Sequence, residues 1–376
     1  MASVRKFTKR LLVATNIFIV LIFLLVCANA FLPPDKWWIF SMLGFLFPLW
    51  LLLVFGFFVF WFFFYSRRIS LISLFALILG WSNIHAFFAF NIPKKYSIEK
   101  SPDNLRILTW NIHYWDDFIT KKAGASGHRA KMMEFVQQQN ADLLCFQEFN
   151  QMHGGKEPEN NILYIQNQLH YPYYFFSGDH KSKNGKYESG VIIFSRYPIN
   201  DTIRTRYNSD ANRGSESLIG VDISVNAKTI RIYTTHLQSV LFRSKDFRDV
   251  EIIRNVEDSM LEASKSIIKK LRRAFGLREN QADIVREELD KSPNPVIICG
   301  DFNDVPNSYT YFHIRGSRQD AFMEKGAGIG RTYVNLSPTL RIDYIMADKG
   351  FKVLQCHKFA LPYSDHHPII ADFQLP

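Results

Sequence analysis

Cysteine is scarce: the 376-residue chain has four, Cys27, Cys145, Cys299 and Cys356. No two have the spacing of a zinc site, and so few in so long a chain exclude a disulfide framework. Each falls in or beside an apolar run, so buried thiols are expected. Charge is missing from three stretches, residues 11–32, 37–64 and 69–90, which contain no Asp, Glu, Lys or Arg and one histidine, His85. Roughly 20 apolar residues cross a bilayer, so three transmembrane helices are expected. A secretory signal peptide would explain only the first stretch. Internal repeats and low-complexity tracts are absent too, which leaves no repeat architecture to consider.

What charge there is sits beside the spans. Arg5, Lys6, Lys9 and Arg10 precede the first, and Arg67-Arg68 separate the second from the third. The turn at 33–36 carries one Lys and one Asp. By the excess of Lys and Arg on cytoplasmic loops, the N-terminus is cytoplasmic and the chain beyond the third span lies outside the cytoplasm; Lys94-Lys95 weigh the other way. Trp37, Trp38, Trp50, Trp61 and Trp81 mostly fall near span ends, where amphipathic rings favour the interface. The formal net charge of +10 points to an anionic partner: nucleic acid, a phospholipid surface or a phosphorylated small molecule. No obligate protein partner is inferred.

Residues 91–104, with Pro93, Pro102 and mixed charges, read as a tether between a membrane anchor (1–90) and a folded region (105–376). In that region strand and helix patterns alternate, which predicts a mixed α/β architecture. Helices are expected over 128–140 and 160–170. Extended runs cover 189–195, 217–225 and 229–235, the last two joined by a turn at Asn226-Ala227-Lys228. Residues 244–291 carry no strand signal. Val256, Met260, Ile267 and Leu271 form one helical stripe there, flanked by Leu261, Ile268 and Phe275, with Gly276 expected to break the helix. Arg243, Lys245, Arg248, Arg254, Lys269, Lys270, Arg272 and Arg273 form a solvated face or, alternatively, a substrate- or membrane-facing surface beside His236.

Polar groups cluster where strands should end. The apolar run 296–299 leads into Gly300-Asp301-Phe302-Asn303-Asp304, and Ser364-Asp365-His366-His367-Pro368 precedes the run 369–373. Strand 105–110 runs into Asn111, strand 142–146 into Gln147-Glu148, and strand 229–235 into His236. A further run, 341–346, carries Asp343 inside it. Strand tips are where α/β enzymes keep their chemistry, and converging acids, an amide and imidazoles suit metal-assisted attack of water on phosphorus. In this order the stretches TWN (109–111), QE (147–148), SGVIIFSRYPI (189–199), THL (235–237), GDFND (300–304), RIDYI (341–345) and SDHHP (364–368) resemble the endonuclease/exonuclease/phosphatase superfamily, over nearly all of 105–376. The resemblance, which covers none of the first hundred residues, implies a four-layer sandwich of two β-sheets between helical layers and a phosphoesterase; the apolar stretches make it a membrane-anchored, bacterial-type member.

Three tasks face such an enzyme: neutralising the developing phosphorane, activating water and protonating the leaving oxygen. Glu148 is the expected metal ligand, with Asn111 as neutral oxygen partner and Asp365 as a contributor. Mg²⁺ fits hard oxygen donors, with Mn²⁺ or Ca²⁺ as substitutes. The resemblance implies that Asp301 positions or deprotonates the attacking water and that Asn303 hydrogen-bonds a phosphate oxygen. Asp343 and His366 are expected to pair, and His236 to approach the phosphate as a second imidazole. His367, which precedes Pro368, is read as structural or as outer lining. Tyr309, Tyr311 and Thr332-Tyr333 are expected to line the pocket. The leading expectation is hydrolysis of a phosphodiester or phosphomonoester, as in a nuclease. The alternatives are a non-catalytic receptor for phosphorylated ligands, or a phosphoesterase acting on phospholipid, sphingomyelin or inositol phosphates.

Overall fold

Alternation at period two along the strands decides the architecture. In a computed structural model, which describes residues 2–116, 127–153, 160–182, 185–207, 215–241, 246, 250, 253 and 260–376, two six-stranded sheets pack face to face. Numbering starts at a short β1 (Ala89–Phe90). The first sheet contains β2 (Asn104–Asn111), β3 (Leu143–Met152), β4 (Tyr173–Lys181), β5 (Tyr187–Ser195), β13 (Lys352–Lys358) and β14 (Ile369–Gln374), in the order β13-β14-β2-β3-β5-β4. The second contains β6 (Ile199–Thr205), β7 (Glu216–Val225), β8 (Lys228–His236), β9 (Val296–Asp301), β10 (Gln319–Asp320) and β12 (Asp343–Ala347), in the order β10-β12-β9-β8-β7-β6. The turn between β7 and β8 has Asn226 and Ala227 at positive φ, the geometry that a tight hairpin demands.

Side chains on the two faces of each strand serve different cores. Ile107, Cys145 and Ile193 meet Val221, Ile232, Cys299 and Ile345 between the sheets. Their neighbours Leu108, Leu144 and Phe194 share a core with Met132, Met133, Phe135 and Val136 of helix α6 (Arg129–Gln138). Tyr233, Ile298 and Tyr344 do the same with Ala282, Val285 and Leu289 of helix α8 (Met260–Asp290). Each side chain of this size contributes about 1.5–3 kcal/mol, so burial on both faces of both sheets fixes the strand tips. Helix 160–170 is observed as α7 (Asn161–Gln168), and all four cysteines are buried.

Two N-terminal helical stretches, Ser3–Phe31 and Phe47–Tyr65, are long and apolar enough to cross a membrane. A third crossing requires α4 (Arg67–Leu79) and α5 (Trp81–Phe87), bent by 63°, to act as one span. The first of these stretches contains α1 (Ala2–Ala28), whose buried Asn16 accepts the Ser73 hydroxyl of α4 at 2.9 Å. The expected span 37–64 is not one helix. It divides at Leu46 into α2 (Pro34–Phe45) and α3 (Phe47–Phe60). Pro48 explains the division, since it has no N–H for Gly44 and its ring clashes with that carbonyl.

Helix α2 lies against α8 instead. The Phe45 and Phe275 rings are 5.7 Å apart, the Arg272 guanidinium sits 5.4 Å over Trp38, and Asp35 N–H donates to Glu279 at 2.7 Å. The expected break at Gly276 is absent, because α8 is continuous through it. A mid-helix glycine costs about 1 kcal/mol, less than burial of Ala274 and Phe275 beside it returns. Val256 and the basic residues Arg243, Lys245, Arg248 and Arg254 lie outside the described residues.

Residues 91–104 do not run free. Asn91 donates to the Met323 and Gly326 carbonyls, and Ser97 exchanges two hydrogen bonds with Gln355. Buried Arg106 grips the Ser97 and Ile98 carbonyls while paired with Asp372. Ahead of them β1 pairs with β11 (Ala327–Gly328), and buried Arg341 donates to the Ala86 carbonyl of α5 at 2.7 Å.

Candidate active site

Register across the second sheet sets four titratable side chains in a row. Glu216 on β7 is level with His236 on β8, His236 with Asp301 on β9, and Asp301 with Asp343 on β12. Asp343 is the first residue of its strand, not interior to it as the run 341–346 suggested. Facing this row, the first sheet offers Asn111 at the tip of β2 and Glu148 on β3, and His366 lies just ahead of β14. A cleft of about 1300 Å³ between them is lined by Glu148, His236, Asp301, Asn303, Asp365 and His366, among others.

Local backbone features aim these groups. Gly300 has φ +136°, and a Cβ there would meet the Thr235 carbonyl oxygen at 2.1 Å, so only glycine allows β9 to lie this close to β8. Glu148 sits in a bulge between Phe146 and Phe149, where β3 slips against β5. Its φ is +51°, and Asn303 has +52°; side chains held in this sparsely used region cluster at functional sites. The Thr332 hydroxyl accepts the Ile342 and Asp343 N–H groups. Trp110 Nε1 donates to the His366 carbonyl at 2.9 Å, tying the histidine loop to β2.

Asp301 is the hub. Its Oδ2 accepts Asn111 Nδ2 at 3.1 Å and lies 3.7 Å from Nε2 of both His236 and His366. Its Oδ1 accepts the Asn303 N–H at 2.8 Å. The expected Asp343–His366 pair is present, with Nδ1 at 3.1 and 2.9 Å from the two carboxylate oxygens. Asn111 Nδ2 also reaches Glu148 Oε1 at 3.3 Å, while its Oδ1 accepts the His113 N–H. Asn303 donates its side-chain amide to the Leu237 carbonyl. Asp365 lies on the cleft wall, 3.7 Å from His113 Nδ1.

Burial pushes the Asp301 carboxyl up to about 6, reinforced by Asp343 and opposed by both imidazoles. For His236 burial disfavours the charged ring, but Glu216, then Asp301 and Glu148, outweigh it and hold the imidazole at about 9. Burial likewise works against charge on His366, and Asp343 and Asp301 override it, so its pKa stands well above the ordinary value. Burial also raises the Glu216 carboxyl, offset in part by His236. That pair shares one proton, which we place on the imidazole because three carboxylates face the ring. His367 is held neutral, pushed down to about 4 by burial and by Lys358 and Arg331. Its N–H donates to the Thr332 carbonyl.

Glu216 is the site residue that the motif spacing missed. Fully buried, it stands 3.3 Å from His236 Nδ1 and accepts the Glu148 N–H at 2.9 Å, so one carboxylate positions two cleft groups. The available signal was an acid at the head of the apolar run 216–225. Of the expected lining tyrosines only Tyr333 lines the cleft, its ring 5.0 Å from that of His366. Tyr309 bonds Asp283 and Tyr311 bonds Asp320, because α9 (Tyr309–Arg315) turns both towards its own packing partners. In metal-free protein the His236 ring should titrate near 9 by NMR. Glu216→Gln should pull that midpoint down, since burial then acts with less opposition; an unmoved midpoint would remove Glu216 from this role.

The model of the Endonuclease/Exonuclease/phosphatase family matches residues 108–366. The chain belongs to that family. Its members are metal-dependent phosphoesterases, which gives the chain its reaction class. A second family model, for a domain of unknown function, matches residues 9–87. Among solved structures, an endonuclease/exonuclease/phosphatase from Beutenbergia cavernae is similar at 19% identity over 72% of each chain, with a TM-score of 0.51. A Leptotrichia buccalis protein of this family (19% identity, 72% of this chain and 99% of that one, TM-score 0.49) is also similar. So is the human Nocturnin catalytic domain (18%, 73% and 94%, TM-score 0.49). At such identities the likeness is one of fold. No curated protein matches the chain.

Proposed function

We propose that this family member hydrolyses a phosphate ester with an activated water while anchored in a membrane. The observation that carries the reading is the row Glu216–His236–Asp301–Asp343, facing Asn111, Glu148 and His366 across one cleft. A pure binding site would have no use for a buried carboxylate held between two charged imidazoles. The proposed substrate end is a phosphoryl group resting against His236 and His366, both cationic at neutral pH. Asp301, ionised above about 6, takes a proton from water as the water oxygen bonds to phosphorus. The P–O bond to the leaving group breaks, and His236 returns a proton to that oxygen. Asp343 keeps His366 oriented and charged.

The donor set fits a hard divalent cation. Glu148 is partly open to the cleft, and among the described residues its carboxylate receives one hydrogen bond, a long one from Asn111. We assign the cation to Glu148, with Asn111 and Asp365 beside it, and Mg²⁺ as its identity. Asn111 Oδ1 accepts one hydrogen bond, from the His113 N–H, and keeps a second lone pair to offer. Asp301, Asp343 and His366 also approach closely enough to ligate, their ligand atoms within 4.8 Å of one another, but Asp343 already spends both oxygens on His366. When bound, the cation supplies Lewis-acid neutralisation of the phosphoryl charge.

The deciding assay uses the full chain in detergent with bis(p-nitrophenyl) phosphate and p-nitrophenyl phosphate, with Mg²⁺, Mn²⁺ or EDTA. Metal-dependent nitrophenol release is expected, and none on either substrate would turn the reading towards a receptor. For orientation, a reporter active only after export, fused after Pro376, should be active; a silent one would place the catalytic cleft in the cytoplasm.

A further inference from the structure

We infer that the substrate is a lipid phosphate ester, its apolar tail held by α2. This rests on the cleft being a phosphoesterase site, and it assigns a role to a segment outside the residues that match the catalytic family. One wall of the cleft that contains Asp301 and the two imidazoles is built by Met42, Phe45 and Leu46, from the end of α2. Leu241, Leu271 and Leu336 continue that apolar wall. Three of these six are exposed large hydrophobics: Leu46 at 48%, Leu241 at 40% and Leu336 at 47%. Leu241 and Leu336 also have φ of +55° and +67°, a region that an L side chain occupies only when its surroundings impose it. A soluble phosphate ester needs a cationic floor and gains nothing from such a wall.

The source of the tail follows from where α2 stands. It connects the two helices long enough to cross a membrane, so both of its ends lie at one membrane face. Its packing on α8 holds the cleft at that face. Exposed Lys269, Arg272 and Arg273 on the adjoining stretch of α8 complement anionic head groups. The volume of about 1300 Å³ exceeds what a drug-sized ligand fills, and leaves room for chain beyond the phosphate. Each methylene moved from water to such a wall improves binding by up to roughly fourfold.

Two chromogenic diesters separate the possibilities, p-nitrophenyl hexadecyl phosphate and p-nitrophenyl methyl phosphate. Hexadecyl and methyl phosphate, read by phosphate release, serve for a monoesterase. The full chain in mixed micelles should favour the hexadecyl member of at least one pair by tenfold or more. That preference should fall at least tenfold in Phe45→Glu and in Leu336→Glu; the second variant lies on an exposed loop and keeps the test open if the first misfolds. Micelle partitioning alone would leave the ratio unchanged in both variants, which overturns the proposal, as does wild-type preference for the methyl ester. Cleavage of bis(p-nitrophenyl) phosphate without a long-chain preference removes the lipid reading and spares the phosphoesterase. Cleavage of none removes both.

Discussion

Asp301→Asn should lower turnover by about 10²–10⁴-fold, the range that positioned proton transfer contributes. The amide keeps the size of the carboxylate and still accepts the Asn303 N–H through its oxygen, so the strand tip should survive. What it loses is the ability to take a proton at the oxygen between Asn111 and the two imidazoles. Since the carboxyl is raised to about 6, it is protonated and idle below that pH and competent above it. The wild-type kcat/KM should therefore rise through the acid side, and the slope should vanish in the variant. Stopped assays across pH with Mg²⁺ in excess measure both. A loss of less than tenfold, or an acid limb that persists in Asp301→Asn, would move the base elsewhere.

Glu148→Gln should be as damaging for a different reason. Turnover is expected to drop about a thousandfold, the ~4 kcal/mol of charge stabilisation that a Lewis acid supplies. Calorimetric Mg²⁺ affinity should fall with it, while the thermal transition of the metal-free protein stays in place. Asp343→Asn gives the contrast, because Asp343 is spent on His366. It should lower turnover and leave the Mg²⁺ affinity near that of wild type. If Asp343→Asn removes the cation and Glu148→Gln does not, the ion belongs to the Asp301–Asp343–His366 cluster.

Much of the site was legible because strand tips are legible: an apolar run marks a buried strand, and the polar residue that ends it is its tip. Asn111, His236 and Asp301 each close such a run. Glu216 escaped because its importance lies in register. Nothing in 216–225 announces that this acid will face His236, or that its oxygen will take the N–H of a bulged residue on the other sheet. Glu148 was readable as an acid after a strand, but the left-handed turn that aims it was not. The division of 37–64 shows how composition misleads, since α2 is nearly as apolar as the spans and only Pro48 marks the end of one helix and the start of another. Gly276 shows the converse, a local breaker overruled by packing.

The hold of α5 on buried Arg341 bears on how such a protein can change over generations. The guanidinium donates to the Ala86 carbonyl on one side and to Asp320 on the other, and β1 is stitched to β11. A foreign N-terminal segment that brings no carbonyl to this position would cost Arg341 that partner inside the protein. A hydrogen bond to a charged group is worth about 1.5–3 kcal/mol, a large share of the margin that keeps a domain folded. The N-terminal helices and the catalytic portion are therefore expected to tolerate exchange only together, and chimeras that swap either alone should express poorly.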